Sequence, residues 1–331
     1  MPADARLEFC TYFDANYLTR GLALYESLER HSPPFRLWVL CLDEATHAAL
    51  VNLREDTIQP IPLADFEQGD DGLLAAKANR TSVEYYFTCT PSLPLFVLRR
   101  DPTIETVTYL DADLLFYSDP RPLLATGDGR SVSIIPHGFP RELQHLAIHG
   151  TYNVGLLSFR NDPAGRACLQ RWRAQCLEWC YDRLEDGKFA DQGYLNDWPE
   201  TLDGVEVIDR PGAGLAPWNF MRYRIDLRRD PPTVDGDPLV FYHFQAFKAR
   251  HAWLYELGLA GYGKMPRGLR VTLYGGYVDA LERAARRLAR AGVRPRSGAP
   301  SARFAGPRRL RSTLGSIARG QMLFAIGPIR L

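Results

Sequence analysis

The sequence lacks the long apolar runs that membrane-spanning helices require. None of its apolar stretches reaches the roughly 18 uninterrupted residues of a transmembrane helix, and a charged, strand-like segment follows Met1 where a signal peptide would have its apolar core. The 331 residues are 46% hydrophobic and 24% charged, which is ordinary usage for a soluble protein with a large core. We therefore expect neither secretion nor a membrane span, and a cytoplasmic location.

The sequence also lacks paired cysteines. No Cys-x-x-Cys pair occurs, and no histidine lies at a spacing suited to zinc, so a disulfide scaffold and a zinc finger are both excluded. Most cysteines occur inside apolar runs, and we expect them to be reduced and buried. The six cysteines are Cys10, Cys41, Cys89, Cys168, Cys176 and Cys180.

Acidic charge is scarce at the C-terminal end. Residues 281–331 hold twelve arginines, no lysine and one acidic residue, so this segment carries a charge of about +11. The preceding 280 residues carry about −10, and the two together give the net charge of +1. We expect residues 1–262 to form the main domain and residues 263–331 an Arg-rich extension. Its apolar residues are aliphatic and include no base-stacking series, which favours an anionic membrane surface over nucleic acid. A disordered tail without a specific partner is the alternative. The arginines considered include Arg286, Arg287, Arg290, Arg308, Arg309 and Arg311.

Strand patterns alternate with helix patterns along the main domain. A strand at 7–13 precedes an amphipathic helix that ends at Ser32-Pro33, and a second strand at 36–42 precedes a helix capped by Asp43. Asp162 and Pro163 predict the start of another helix. Further strands are expected at 106–110, 131–136, 154–159, 205–208 and 239–244. This alternation predicts an α/β fold with a mostly parallel sheet covered by helices on both faces.

Two carboxylates, in Asp111-Ala112-Asp113, follow the buried strand at 106–110. Burying unpaired carboxylates costs several kcal/mol each, so a counter-ion is expected. Mn²⁺ or Mg²⁺ prefers such ligands and leaves coordination positions open for phosphates. In a parallel sheet ligands bind beyond the carboxyl ends of the strands, which is where Asp14, Asp111, Asp113 and His243 are predicted. A solvated Asp-x-Asp turn is the structural alternative.

Five further segments join the Asp-x-Asp pair in chain order over roughly residues 7–250. The six segments are Thr11-Tyr12-Phe13-Asp14-Ala15-Asn16-Tyr17, Asp111-Ala112-Asp113, Tyr152-Asn153-Val154-Gly155-Leu156-Leu157, Asp191-Gln192-Gly193-Tyr194-Leu195-Asn196, Trp218-Asn219 and His243. Together they resemble the GT-A nucleotide-sugar glycosyltransferases, and among them the retaining family 8. The resemblance implies a GT-A fold and transfer of a sugar from a nucleoside-diphosphate sugar, with UDP favoured, to a glycan or glycolipid, as in polysaccharide biosynthesis.

The resemblance also implies a role for each matching residue. A divalent metal would be held by Asp111, Asp113 and His243, and catalysis would involve Asp191 and Gln192. The donor would be bound by Thr11, Asp14, Asn16, Tyr17, Asp111, Ala112, Asn153, Gly155, Asn219 and Lys248. No nucleic-acid partner is expected.

The sequence departs from the family at two places. After His243 the family has Gly third and Lys sixth, whereas this chain has Ala246 third and Lys248 fifth. The family places a basic residue in the segment before the metal site, where this chain has residues 90–94, Thr-Pro-Ser-Leu-Pro. We expect Lys77 or Arg80 to supply that charge from another loop.

The expected chemistry follows from the leaving group. A metal that bridges the diphosphate oxygens stabilises the developing negative charge, and a basic side chain, Lys248 or Lys77, adds to this. The only match on the sugar side is Gln192, and an amide is a poor nucleophile. We therefore expect retention by front-face attack, with Asp191 and Gln192 orienting sugar and acceptor and with a diphosphate oxygen as the base.

Other functions remain open. They are an inverting GT-A enzyme, a haloacid-dehalogenase-like phosphatase, a nucleotidyltransferase and a non-catalytic nucleotide-sugar-binding scaffold. Leu114 after the second Asp argues against the phosphatase, and 11–17 is neither Gly-rich nor basic, unlike a nucleotidyltransferase phosphate loop. Asp14 and Asp191 could simply cap helices, and His243 could be a core histidine. His137, His145 and His149 receive no role.

Overall fold

The computed structural model describes residues 6–125, 129–251, 253–294, 319–326 and 329–330. The helices are α1 (Leu18–His31), α2 (Glu44–Leu53), α3 (Leu63–Glu67), α4 (Asp71–Asn79), α5 (Ser82–Arg100), α6 (Pro163–Glu178), α7 (Trp198–Thr201) and α8 (Arg267–Arg290). Short 3₁₀ helices span Arg121–Leu123, Arg141–His149, Gln192–Asp197 and Phe220–Arg222.

The strands fall into one large sheet and several small ones. They are β1 (Leu7–Phe13), β2 (Phe35–Cys41), β3 (Ile58–Pro62), β4 (Thr106–Leu110), β5 (Leu114–Phe116), β6 (Val132–Pro136), β7 (Tyr152–Arg160), β8 (Val205–Val207), β9 (Ile225–Asp226), β10 (Thr233–Val234), β11 (Asp237–Pro238), β12 (Phe241–His243), β13 (Lys248–His251), β14 (Leu254–Glu256), β15 (Met322–Ile326) and β16 (Ile329–Arg330).

The central sheet has seven strands in the order β3-β2-β1-β4-β7-β6-β8. The first four are mutually parallel, β7 runs antiparallel to both β4 and β6, and β6 is parallel to β8. The predicted α/β fold with a mostly parallel sheet is therefore confirmed. The carboxyl ends of β1 and β4 meet at one edge, because both strands run in the same direction side by side.

Both faces of this sheet are covered, and β1 shows why. Successive side chains of a strand point to opposite faces, and all but one residue of β1 are buried. Phe9 belongs to a core shared with α1, whereas Cys10 belongs to a core shared with α5 and α6. Apolar and aromatic residues therefore occur on both faces of the strand, as in a sheet with no exposed face, while its polar Glu8 and Thr11 are buried too.

Local signals place several helix starts correctly. Asp43 caps α2 by accepting a hydrogen bond from Thr46 N at 2.7 Å, and Asp162 caps α6 by accepting one from Gly165 N at 2.8 Å. The sequence did not predict α5, whose interior contains Pro91 and Pro94. Proline removes a backbone donor and disfavours a helix, but the buried apolar face of α5 packs on α6 and the sheet.

The predicted strand at 239–244 is shorter and lies elsewhere. β12 pairs antiparallel with β5 in a separate two-stranded sheet, and it forms no part of the central sheet. His243 is the register partner of Leu114, the residue after Asp113. This pairing brings the last strand of the predicted site onto the chain segment that holds the two carboxylates.

The first part of the predicted C-terminal extension is packed into the fold. α8 lies against α1, and its Ala284 and Leu288 are buried in the same core as β1. Arg287 forms ion pairs of 2.7 Å with both Glu29 and Glu55, so its charge is neutralised within the protein. Arg308, Arg309 and Arg311 lie outside the described residues, and membrane contact through this segment stays a prediction. Within the described ranges, no helix has the length and apolarity to cross a membrane.

Candidate active site

A cleft of about 560 Å³ opens beyond the carboxyl ends of β1 and β4. Its walls combine carboxylates and amides with several aromatic rings. It is lined by Tyr12, Phe13, Asp14, Asn16, Tyr17, Leu42, Val83, Tyr86, Phe87, Tyr109, Asp111, Ala112, Asp113, Asn153, Val154, Asp182, Phe189, Ala190, Asp191, Gln192, His243, Gln245 and Ala246. Most of the residues that the sequence singled out therefore lie around one cavity.

The three predicted metal ligands lie together in this cleft. The Nε2 atom of His243 is 3.1 Å from Oδ1 of Asp113 and 3.5 Å from Oδ2 of Asp111. One ligand atom from each residue lies within 4.8 Å of the other two, which is the spacing that a single ion can bridge. The β5–β12 register explains the arrangement, because it places His243 beside the residue that follows Asp113.

The charges of these three groups are interdependent. Burial raises the pKa of Asp111, and the opposing effect of His243 does not overcome it. Burial acts the same way on Asp113, but His243, with smaller contributions from Arg20 and a backbone hydrogen bond, outweighs it and lowers the pKa of that carboxyl. Burial disfavours the charged form of His243, yet the two carboxylates raise its pKa. The site therefore favours a cationic group between its two carboxylates.

This donor set fits a divalent metal. Carboxylate oxygens suit Mg²⁺ and Mn²⁺, and imidazole nitrogen suits many first-row transition metals. The other ring nitrogen of His243, Nδ1, is buried and has no hydrogen-bond partner among the described residues, so the ring is positioned by packing. Trp218 contacts its edge at a centroid distance of 5.3 Å. A metal at Nε2 would replace the proton that the carboxylates otherwise stabilise there.

Gly155 of β7 provides the space in which the His243 ring lies. A Cβ atom at this position would be 2.9 Å from Nδ1 of His243 and 2.5 Å from Oδ1 of Asn153. Asn153 accepts a hydrogen bond from Gly155 N at 2.8 Å, and its amide nitrogen lies 3.2 Å from Nε2 of His137. Gly155, predicted as a donor contact, thus makes room for the ring of a predicted metal ligand, and Asn153 lines the cleft.

Asp191 and Gln192 form the opposite wall. The indole of Trp172 donates to Asp191 O at 2.8 Å, and Nε2 of Gln192 donates to His149 O at 2.8 Å. Burial raises the pKa of Asp191 to about 7, despite a hydrogen bond from Thr90 that lowers it. The oxygen of the Gln192 side chain accepts no hydrogen bond from the described residues, so it is available to a ligand in the cleft.

Asp14 orders the loop between β1 and α1. Its Oδ1 accepts hydrogen bonds from the backbone nitrogens of Asn16 at 3.0 Å and Tyr17 at 3.2 Å, and its Oδ2 accepts one from Asn16 Nδ2 at 2.9 Å. These bonds form a turn ahead of α1, whose N-cap residue is Tyr17 and whose N-terminus receives no side-chain cap, so the capping role considered for Asp14 is wrong. All three residues form one rim of the cleft.

The prediction that Lys77 or Arg80 lies at the site is wrong. Nζ of Lys77 pairs with Glu67 at 2.7 Å. Arg80 donates to the carbonyls of Cys176 and Leu177, each at 2.7 Å, so it caps the C-terminal end of α6, where cations are favoured. Both charges are used to hold helices together, and neither side chain lines the cleft.

Besides Lys77, Arg80 and Gly155, three further predicted donor contacts do not line the cleft. Thr11 is fully buried within β1. Asn219 accepts a hydrogen bond from Ala216 N and donates to His137 O and Gly214 O, so its amide holds loops behind the site. Lys248 is exposed at the start of β13. The structure thus brings together the metal ligands and both walls but not these side chains.

Sequence reasoning missed the aromatic wall. Tyr109 donates a 2.8 Å hydrogen bond to Oδ1 of Asp111, and its ring lies 5.7 Å from that of Tyr12. The hydroxyl of Tyr12 lies 3.2 Å from Oγ1 of Thr90, and Tyr86 packs on Tyr12 at 6.3 Å. The sequence did contain a signal for this wall, because a tyrosine lies near the end of each of the two strands that lead to Asp14 and Asp111.

Comparison with solved structures identifies the fold. The crystal structure of the galactosyltransferase LgtC in complex with donor and acceptor sugar analogues has a TM-score of 0.52 and 19% identity, covering 88% of this chain and 98% of LgtC. An active-site mutant of LgtC has a TM-score of 0.51 and 18% identity, covering 81% of this chain and 100% of that chain. The fold is therefore that of the GT-A glycosyltransferases.

Sequence comparison identifies the family. No family model matches the chain. It is 36% identical over 250 residues to the uncharacterized protein YfnF of Bacillus subtilis (strain 168), covering 72% of this chain and 81% of YfnF. It is 30% identical over 242 residues to the uncharacterized protein YfnD of the same strain, covering 72% and 77%. The chain belongs to the family of YfnF and YfnD.

Proposed function

We propose that this protein is a metal-dependent glycosyltransferase that moves a sugar from a nucleoside-diphosphate sugar, with UDP as the favoured nucleotide, to a hydroxyl of a glycan or glycolipid. The observation that carries the proposal is the Asp111, Asp113 and His243 cluster. It lies in a cleft at the carboxyl edge of the sheet, within a fold shared with LgtC. Carboxylates at this edge of an open α/β sheet are placed where ligands bind.

The metal site determines where the diphosphate would bind. Asp111, Asp113 and His243 would hold Mn²⁺ or Mg²⁺, which when bound neutralises charge that develops on a departing diphosphate. The rim formed by Asp14, Asn16 and Tyr17 would bind the nucleotide. Asp14 already accepts three hydrogen bonds from its own loop, so we assign it the role of fixing the positions of the other two.

The opposite wall would bind the transferred sugar. The side-chain oxygen of Gln192 has no partner among the described residues, whereas its nitrogen is held by His149 O, so the amide is oriented with its acceptor free. LgtC, whose fold this chain shares, likewise has an active-site Gln, which a mutant structure replaces by Glu. An amide is a weak nucleophile, so the reaction is proposed to retain the anomeric configuration by front-face attack.

Nucleoside diphosphate release in the presence of Mn²⁺ tests the proposal. Purified protein is incubated with a panel of nucleotide sugars, and turnover is compared between wild type, Asp113→Ala and the control Asp65→Ala, an exposed carboxylate on α3. We expect Asp113→Ala alone to lose activity, by a factor of a hundred or more, because metal and diphosphate would lose a shared anchor. Equal turnover by Asp113→Ala would refute the metal role.

The stereochemical outcome needs a separate measurement. The anomeric configuration of the new glycosidic bond is read by NMR on the intact product. Retention supports front-face attack on the Gln192 side, whereas an inverted product would refute it and favour the inverting GT-A alternative.

A further inference from the structure

The proposed diphosphate site lacks the lysine that its chemistry calls for. A leaving diphosphate carries more negative charge than one divalent metal neutralises, so a basic side chain is expected beside it. Lys77 and Arg80 are held by other parts of the fold. Lys248 is exposed on β13 and does not line the cleft. The positive charge must therefore come from another side chain near the predicted metal ligands.

Arg20 of α1 does not itself line the cleft, but it lies directly against two parts of the chain that do. Its guanidinium carbon is 4.0 Å from the ring centroid of Tyr17, which lines the cleft. Its Nη2 donates to Phe247 O at 2.6 Å, and Phe247 directly follows Gln245 and Ala246, which also line the cleft. Arg20 therefore joins the nucleotide rim on one side to the loop after His243 on the other.

The guanidinium of Arg20 carries its charge beside the cleft. An arginine side chain is always protonated in proteins. Burial disfavours the charge of Arg20, but Tyr277, Tyr17 and Asp113 together outweigh burial and raise its pKa. A positive charge therefore lies behind Tyr17 and next to the loop that follows His243.

The guanidinium has unused hydrogen-bonding capacity. An arginine offers five N–H donors in a fixed fork. Among the described residues, Arg20 donates to Phe247 O and lies over the ring of Tyr17, with which it also forms a side-chain hydrogen bond. No carboxylate of the described residues forms an ion pair with it. Other half-buried arginines, such as Arg36 with Glu8 and Asp101, do have such partners. A half-buried cation without a carboxylate indicates an anionic ligand.

We propose that Arg20 binds the diphosphate of the donor and supplies the positive charge that stabilises the leaving group, in place of Lys248. This inference rests on the proposed glycosyltransferase function. Because the guanidinium fork can bond a carbonyl and a phosphate oxygen together, diphosphate binding would also fix the 245–247 loop over the metal site.

Calorimetric titration of UDP and of uridine in the presence of Mn²⁺ tests this role. We expect Arg20→Gln to weaken UDP binding about tenfold or more, the range for loss of a charge-assisted hydrogen bond, while uridine binding changes little. The matched control Lys248→Gln removes the same charge from β13 and is expected to bind UDP like wild type. Equal weakening of UDP and uridine by Arg20→Gln would indicate a structural role and overturn the proposal, as would a UDP affinity equal to that of wild type.

The same titrations separate this inference from the proposed function. Failure of the wild-type protein to bind UDP with Mn²⁺ would refute the proposed function. An equal UDP affinity of wild type and Arg20→Gln would refute only the role of Arg20. If Arg20→Gln does not fold, the same titrations are made with Arg20→Lys. We expect it to weaken UDP binding several-fold with uridine binding unchanged, because one ammonium cannot reproduce the fork; wild-type affinity for UDP in this variant would overturn the proposal.

Discussion

Replacing Gly155 by alanine should disable the metal site without altering any of its ligands. The added Cβ would lie 2.9 Å from Nδ1 and 3.1 Å from Cε1 of His243, and 2.5 Å from Oδ1 of Asn153. Ordinary carbon contacts need about 3.5 Å or more, so the imidazole must move by several tenths of an ångström. Both neighbours are held in place, His243 by Trp218 and β5 and Asn153 by its bond to Gly155 N. Such overpacking costs about 1–3 kcal/mol in unfolding free energy.

The functional loss should exceed this loss of stability. Nε2 of His243 lies only 3.1 Å from Oδ1 of Asp113, and metal ligation requires distances within about 0.2 Å of ideal values. Displacement of the ring is therefore expected to lower the affinity for Mn²⁺ at least tenfold, the scale of effects on ligand positioning. Mn²⁺ affinity is measured by titration calorimetry, and stability is measured by urea unfolding.

Gly276→Ala is the matched control for this substitution. Gly276 lies within α8 and has no atom within 4 Å of an added Cβ, so alanine there should leave Mn²⁺ binding unchanged and raise helix stability by up to about 1 kcal/mol. Wild-type affinity for Mn²⁺ in Gly155→Ala would refute the reasoning, because it would show that His243 either is no ligand or is free to move.

Two further predictions separate structural from catalytic groups. Arg80→Ala should lower the unfolding free energy by about 2–4 kcal/mol, because the carbonyls of Cys176 and Leu177 lose a charged donor; UDP affinity should be unchanged, and a selective loss of UDP binding would restore Arg80 to the site. Asp191 has its pKa raised to about 7 by burial, so the folded protein binds more protons than the unfolded chain between about pH 4 and pH 7. Stability should therefore fall as the pH rises through this window, by up to about 4 kcal/mol. We expect Asp191→Asn to flatten this part of the plot of unfolding free energy, measured with urea, against pH. An unchanged slope would contradict a raised pKa of the buried Asp191 carboxyl.

The parts of the fold that local sequence determines were predictable. Asp43 and Asp162 cap helices through their own side chains, and the strand at 106–110 is identified by its apolar run. α5 was not predictable in this way, because Pro91 and Pro94 oppose a helix locally. Its stability depends on packing against α6 and the sheet, and periodicity alone cannot show how much burial a segment will gain.

The same distinction explains which site residues were predicted. Ligand types are local, so Asp111, Asp113 and His243 could be proposed from their side chains and their order. The strand that positions His243 could not be assigned, because its partner is β5 and lies more than a hundred residues earlier in the chain. The tyrosines behind Asp111 were overlooked because a strand-end tyrosine is ordinarily a core residue.

Basic residues were the least predictable part of the site, and the reason is physical. The function of an arginine or lysine depends on which anion or carbonyl its long side chain reaches, and that partner is set by tertiary structure. Glu67 neutralises Lys77 and the end of α6 binds Arg80, whereas Arg20 reaches the loop after His243 and keeps most of its donors. A family position can therefore lose its lysine without loss of the charge, provided that another element places a cation at the same point in space.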